Sequence, residues 1–95
     1  MPRKNGRPQA ARRRVHFRLE ARAARRVSLV GSFNGWDPES HLLKGNAAGT
    51  WQRNLILEPG TYEYRFLVDG EWQNDSGAQR VPNPYGTENC ILIVS

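Results

Sequence analysis

The stretch Thr61-Tyr62-Glu63-Tyr64-Arg65-Phe66-Leu67-Val68-Asp69-Gly70-Glu71-Trp72 decides the fold. Tyr62, Tyr64, Phe66 and Val68 fall in one phase, and Thr61, Glu63, Arg65 and Leu67 in the other. A period of two is that of a β-strand with one face toward a core. Asp69-Gly70 follows, and both positions tolerate the positive φ that a tight two-residue hairpin turn demands. Glu71-Trp72-Gln73 then reads as a short return strand. Parity sends Arg65 away from the core, onto the face it shares with solvent.

The same period recurs on both sides of this hairpin. Val15, Phe17 and Leu19 alternate with His16, Arg18 and Glu20, and Val27, Leu29 and Gly31 alternate with Ser28 and Val30. Residues 21–25 are too few to stand as a helix and read as the connection between these two strands. Residues 31–38 are dense in turn formers, and residues 41–49 form a polar, glycine-bounded stretch. Trp51, Leu55 and Leu57 share one phase with Arg53 between them, and Glu58-Pro59-Gly60 ends that strand. Residues 74–86 read as a loop punctuated by Gly77, Pro82, Pro84 and Gly86. Residues 89–94 are a last apolar run. No amphipathic helix is visible, so the chain is expected to be all-β, a sandwich of about six to eight short antiparallel strands.

With 95 residues and a formal charge of +5, one thin core is the limit, burying roughly 60–65% of the surface of the unfolded chain. The charge is uneven. Residues 1–14 carry +6 with no acid, through Arg3, Lys4, Arg7, Arg12, Arg13 and Arg14, whereas residues 15–95 sum to −1. Residues 1–13 have too little apolar surface to offset their ordering entropy and are expected to be a disordered basic tail, with the folded domain at 14–95. The tail suits either a nucleic-acid or anionic-surface arm or a simple solubilising extension. A mitochondrial transit peptide is a more remote reading of it. No run of about 18 apolar residues could span a membrane, and no apolar h-region marks a secretory signal. Cys90 has no partner for a disulfide, and with only His16 and His41 beside it no metal site is expected. These features give a cytoplasmic expectation.

Catalytic constellations are not evident. There is no nucleophile elbow, phosphate loop or dinucleotide fingerprint. Cys90 sits in an apolar run, where a small buried thiol is expected rather than a nucleophile. No carboxylate pair stands out. The expectation is therefore a non-enzyme without cofactors.

What remains conspicuous is aromatic residues outside the apparent core: Trp36 in a turn, Trp72 just after the hairpin turn, and Tyr85 in Asn83-Pro84-Tyr85-Gly86-Thr87. Exposed rings among Asn and Thr form a platform for a flat ligand, with a sugar's C–H face on the indole and its hydroxyls on the polar rim. A nucleobase also stacks, and each ring could instead fold back on the core edge. Trp51 shares the phase of Leu55 and Leu57 and reads as structural. Asn34 and Gly35 read as turn formers that aim Trp36. The sequon at Asn74 is discounted without a signal peptide.

Residues 27–37, Val-Ser-Leu-Val-Gly-Ser-Phe-Asn-Gly-Trp-Asp, resemble the signature of carbohydrate-binding module family 48. This is the early-set, immunoglobulin-like β-sandwich found in glycogen branching enzymes, isoamylases (isoamylase N-terminal-like) and the β subunit of AMP-activated protein kinase. Pro59-Gly60-Thr61-Tyr62-Glu63-Tyr64-Arg65-Phe66, Val68-Asp69-Gly70-Glu71-Trp72 and residues 83–93 resemble its later blocks in order. The kinase-subunit form is the most similar. The resemblance implies non-catalytic binding of α-1,4-linked glucan (glycogen, starch or maltodextrin). It implies stacking by Trp36 and Trp72, with Arg65, Thr87 and Asn89 as polar contacts and Tyr85 in place of the apolar loop residue. Residues 42–49 lack a counterpart of the kinase subunit's phosphoacceptor loop, and neither a kinase-binding extension nor a catalytic barrel is seen. The alternatives are nucleic-acid binding through the basic tail and a protein-interaction module that regulates a separate glycogen-metabolising enzyme.

Overall fold

The computed structural model describes residues 12–95. Eight strands form in chain order: β1 (Arg13–Glu20), β2 (Val27–Gly31), β3 (Lys44–Gly45), β4 (Thr50–Leu57), β5 (Gly60–Val68), β6 (Glu71–Gln73), β7 (Gln79–Pro82) and β8 (Glu88–Val94). All pairings are antiparallel. The smaller sheet runs β1-β4-β3 and the larger β2-β5-β8-β7, with β6 also paired to β5. There is no α-helix among the described residues, and a single 3-10 turn, Ser32–Asn34, follows β2. The all-β sandwich is as the alternation predicts.

β5 organises the larger sheet. Its residues 64–68 pair with β2 on one edge. On the other edge, residues 66–68 pair with β6 and residues 60–64 with β8. The hairpin turn at Asp69-Gly70 has φ of 49° and 86°, as its sequence requires. The Asp69 carboxylate also accepts the backbone N–H groups of Arg25 and Arg26, tying the β1–β2 connection to the hairpin.

The core lies between the sheets. Phe17 from β1 meets Tyr64 from β5 edge-on at 5.2 Å, and Tyr64 meets Phe66 at 5.9 Å, an arrangement favoured by the ring quadrupoles. Val27, Leu29, Leu43, Leu55 and Cys90 complete this cluster. Burial pushes the Cys90 thiol up from its ordinary pKa, which suits a packing residue. Trp51 is half-buried and donates from Nε1 to the Ala21 carbonyl, in the structural role its phase implies.

Three sequence expectations need correction. Residues 74–86 are not all loop, because β7 pairs along β8 from Gln79 opposite Ile91 to Pro82 opposite Glu88. Gln-Arg-Val-Pro carries no alternating apolar signal and is held by backbone pairing, with an exposed Arg80–Glu88 ion pair beside it. Residues 41–49 are not merely polar connection: Leu43 is buried, and Leu29 N–H and Leu43 N–H bond the carbonyls of His41 and Val27. This segment flanks β2 and then joins the smaller sheet as β3, linking the two layers at one side. The expected tail boundary also shifts, since Arg13 already opens β1 opposite Leu57. The rest of the expected tail, residues 1–11, lies outside the described residues.

Gly31 marks where β2 turns toward the 3-10 segment. A Cβ there would lie 2.6 Å from the Glu63 carbonyl oxygen and 2.8 Å from the Phe33 ring. Gly31→Ala is expected to destabilise the domain by about 1–3 kcal/mol through this overpacking. Thermal melting followed by circular dichroism should show Tm falling by roughly 4–8 °C per kcal/mol. An unchanged Tm would show that the close approach is not a constraint.

Candidate functional site

The outer face of the larger sheet carries the candidate residues. Arg65 and Leu67 point outward from β5, and Trp72 stands directly opposite Leu67 on β6. This makes Trp72 a diagonal neighbour of Arg65 on one face. The Arg65 guanidinium carbon lies 5.6 Å from the Trp72 ring centroid, a cation–π contact. Arg65 Nε donates to Asn74 Oδ1 at 2.8 Å, and its Nη1 donates to Thr87 Oγ1 at 3.3 Å. Asn74 Nδ2 in turn donates to the Glu88 carbonyl. The guanidinium is thus held from three sides and buttresses one face of an indole that is 49% exposed.

The loop after β7 brings the remaining polar groups. Asn83 opens the turn, with its N–H on the Thr87 carbonyl. Its side chain reaches both Thr87 Oγ1, at 2.8 Å, and Asn89 Oδ1, at 3.0 Å. Asn89 Nδ2 donates to Glu63 Oε1 at 3.0 Å. Arg65, Thr87 and Asn89 are therefore linked through one hydrogen-bonded array, and Trp72 joins it through its contact with the Arg65 guanidinium. Asn89 differs from the others in being buried, with both ends of its amide engaged. Tyr85, at the tip of the turn, is 88% exposed.

Trp36 comes from the opposite side of β5. The 3-10 turn after β2 sends Phe33 inward, 5.8 Å from Phe17 and 6.2 Å from Tyr62. Asn34 stabilises this turn by accepting Gly31 N–H through Oδ1 and donating from Nδ2 to the Leu29 carbonyl. Gly35 and Trp36 then both adopt left-handed backbone, at φ of 68° and 60°. For a residue as bulky as Trp this is a rare and costly conformation, of a kind that clusters at functional sites. It is held by the Trp36 N–H on the Gly31 carbonyl at 2.9 Å. Gly31 lies opposite Tyr64 and Trp72 opposite Leu67. The two points of attachment are thus two strand spacings apart and three residues along, roughly 14 Å. Trp36 is 38% exposed.

Sequence reasoning missed Asn74, Asn83, Glu63 and His41 as parts of this region. In the sequence the first two read as a sequon and a turn residue, no periodic signal marks Asn74, Asn83 or His41, and Glu63 shares the outward phase of Arg65 without any cue to its partner Asn89. His41 Nδ1 lies 2.9 Å from Asn34 Nδ2. Burial first, and the Arg53 charge second, lower the His41 pKa from 6.5, with Asp37 opposing. Neutral His41 accepts the Asn34 amide hydrogen at Nδ1, which the protonated ring cannot do.

Two outcomes are expected for the Trp36 turn. Because the folded state holds His41 with a lowered pKa, its contribution to stability is present above the unfolded value of 6.5 and is lost as pH falls through the folded one. Melting profiles between pH 7.5 and 5 should show this loss, and His41→Gln should flatten it; equal slopes would remove His41 from the account. Trp36→Gly should be more stable than Trp36→Ala by about 1 kcal/mol, since only glycine adopts left-handed backbone freely. Equal melting temperatures would show that the backbone at this position is unstrained.

A family model described as the glycogen recognition site of AMP-activated protein kinase matches residues 14–95. Protein FLOURY ENDOSPERM 6, chloroplastic, of Oryza sativa subsp. japonica is 43% identical over 72 residues, which are 76% of this chain and 13% of that protein. Protein PTST homolog 2, chloroplastic, of Arabidopsis thaliana is 38% identical over 73 residues, 77% of this chain and 13% of that protein. The 5'-AMP-activated protein kinase subunit beta-1 of Sus scrofa is 34% identical over 90 residues, 95% of this chain and 70% of that subunit. The chain thus spans about an eighth of the length of the two plant relatives.

The cytoplasmic expectation is corrected by these matches, because the two plant relatives are chloroplastic and point to a plastid. The missing h-region bears only on secretion, and a lone cysteine suits any reducing compartment. The matches offer nothing for the nucleic-acid alternative, and Arg3, Lys4 and Arg7 of the basic tail lie outside the described residues.

Proposed function

We propose that this chain, which belongs to the family of the glycogen recognition site of AMP-activated protein kinase, binds α-1,4-linked glucan without chemically altering it. The observation that carries the reading is the half-exposed Trp72 indole seated on Arg65, with the same guanidinium bonded to Thr87. A glucose ring offers an apolar C–H face to the free side of the indole. Its hydroxyls meet the donors and acceptors alongside. Trp36 supplies a second surface from across β5, and the exposed Tyr85 ring extends the contact. Arg65 has two roles: it backs Trp72, and its unshared N–H groups donate to hydroxyl oxygens. Thr87 works beside it. Asn89 contributes mainly by holding its neighbours, because its own amide is already engaged.

No acid–base pair or nucleophile is needed for this task. A second role, as the glucan-contacting part of a regulatory assembly, is supported by the matching relative that is named as a kinase subunit. The two roles are compatible, and the partner would be a separate glycogen- or starch-metabolising enzyme.

Affinity electrophoresis through gels containing glycogen or amylose tests the reading. The wild-type chain should be retarded, and Trp36→Ala and Trp72→Ala should each migrate as in a gel without glucan, with far-UV circular dichroism unchanged. Equal migration of wild type and the double variant in the two gels would overturn it.

A further inference from the structure

Asn83 opens the 83–87 turn and its side chain bonds across it, and it is not among the residues expected to touch glucan. We infer that Asn83 is the positioning residue of the site: it fixes the Thr87 hydroxyl as a hydrogen-bond donor toward the ligand. This rests on the glucan-binding reading and specifies how the polar rim is prepared.

The argument follows from counting donors and acceptors. Asn83 Oδ1 accepts the backbone N–H of Tyr85 at 3.0 Å and that of Thr87 at 3.1 Å. These two bonds occupy both its lone pairs and shape the turn. Asn83 Nδ2 has two hydrogens, given to Thr87 Oγ1 at 2.8 Å and to Asn89 Oδ1 at 3.0 Å. The amide orientation is fixed from outside, because Asn89 must present its oxygen to Asn83 when its nitrogen donates to Glu63. Thr87 Oγ1 also accepts from Arg65 Nη1. With two bonds arriving, both lone pairs of the hydroxyl oxygen are taken and only its hydrogen remains to be given. In the free protein that hydrogen has Asn83 Oδ1 within reach at 3.0 Å. Since Oδ1 is already saturated by two backbone N–H groups, the hydroxyl loses little by turning to a sugar oxygen. Asn83 thus donates on one side to Asn89, which donates on to Glu63, and on the other to Thr87, where the Arg65 donation also arrives; this convergence on Oγ1 makes Thr87 a donor.

Asn83→Asp separates this role from turn formation. The carboxylate keeps both acceptor positions for Tyr85 N–H and Thr87 N–H, so the turn stands. It cannot donate, so Thr87 must turn its hydrogen back to Asp and face the ligand as an acceptor, while Asn89 loses a partner. Calorimetric titration with maltoheptaose should show about a 5- to 15-fold weaker Kd for Asn83→Asp, the scale of one or two hydrogen bonds. Hydrogen exchange at the amides of Tyr85 and Thr87 should remain as slow as in wild type. Thr87→Val removes the same donor at nearly constant shape and should weaken binding by a similar factor. The two changes together should weaken it by less than the product of the single effects.

Affinity of Asn83→Asp or Thr87→Val within twofold of wild type would overturn the inference while leaving the glucan reading intact. Affinity lost together with amide protection in Asn83→Asp would also overturn it, assigning Asn83 to turn folding alone. Failure of the wild-type chain to bind maltoheptaose would instead defeat the glucan reading, and the inference with it.

Discussion

The alternation along β5 is the constraint from which core and site both follow. Tyr64 and Phe66 face inward, only 4% and 0% exposed, and Tyr64 meets Phe17 of the other sheet. Arg65, between them, faces the opposite way and meets Trp72, Asn74 and Thr87. A one-residue slip in register would exchange the two sets, burying a guanidinium and exposing two rings. The hydrophobic effect that fixes β5 in the core therefore also fixes the guanidinium on the outer face. β2, β6 and β8 pair with this one strand, so residues that enter the site from three other segments take their positions relative to Arg65.

The site is prepared by asparagines more than by charges. Asn34, Asn74, Asn83 and Asn89 each use both ends of the amide, and each bonds a residue or carbonyl far enough away to fix a loop. An amide suits this work, since it donates and accepts at fixed angles without carrying a charge that must be desolvated. The strained backbone at Trp36 belongs to the same logic. A ring held in place before the ligand arrives loses less freedom on binding. The cost falls on the stability of the free domain, where the Gly31 carbonyl and the Asn34 side chain offset it.

Most strands were legible because the core imposes period two on them. β1, β2, β4 and β5 carry that pattern in their own residues, and β8 shows instead as a continuous apolar run. β7 does not, since it lies at a sheet edge and is defined by backbone pairing, to which side-chain chemistry is nearly blind. β3 and Leu43 escaped for a related reason: the segment crosses from one sheet to the other and never alternates long enough to register. Within the site, Trp36, Trp72 and Arg65 stood out as large or charged residues where a core has no use for them. Asn74 and Asn83 did not, because an asparagine in a turn looks the same whether it only forms the turn or also directs a neighbouring hydroxyl, and Glu63 did not, because an acid on an outward strand face looks solvated until Asn89 is placed beside it.

Chain length sets the character of the site. Two thin sheets enclose one core, and the space between them is filled by Phe17, Leu29, Leu55, Tyr64 and Phe66. Among the described residues the core leaves little room between the sheets, which suits the proposed contacts on an outer face and in the loops beside it. Rings there remain partly in water, as the exposures of Trp36, Trp72 and Tyr85 show. Such a face covers only one side of a ligand, which corresponds to affinities of roughly micromolar to millimolar, about −4 to −8 kcal/mol. For a polymer this is no handicap, since repeated encounters along one chain and linkage to further binding elements raise the effective affinity without new contacts. A neutral polymer also explains why residues 15–95 need no strong net charge. The +6 carried by residues 1–14 against the −1 of residues 15–95 then has no bearing on the proposed recognition of glucan by the sheet face.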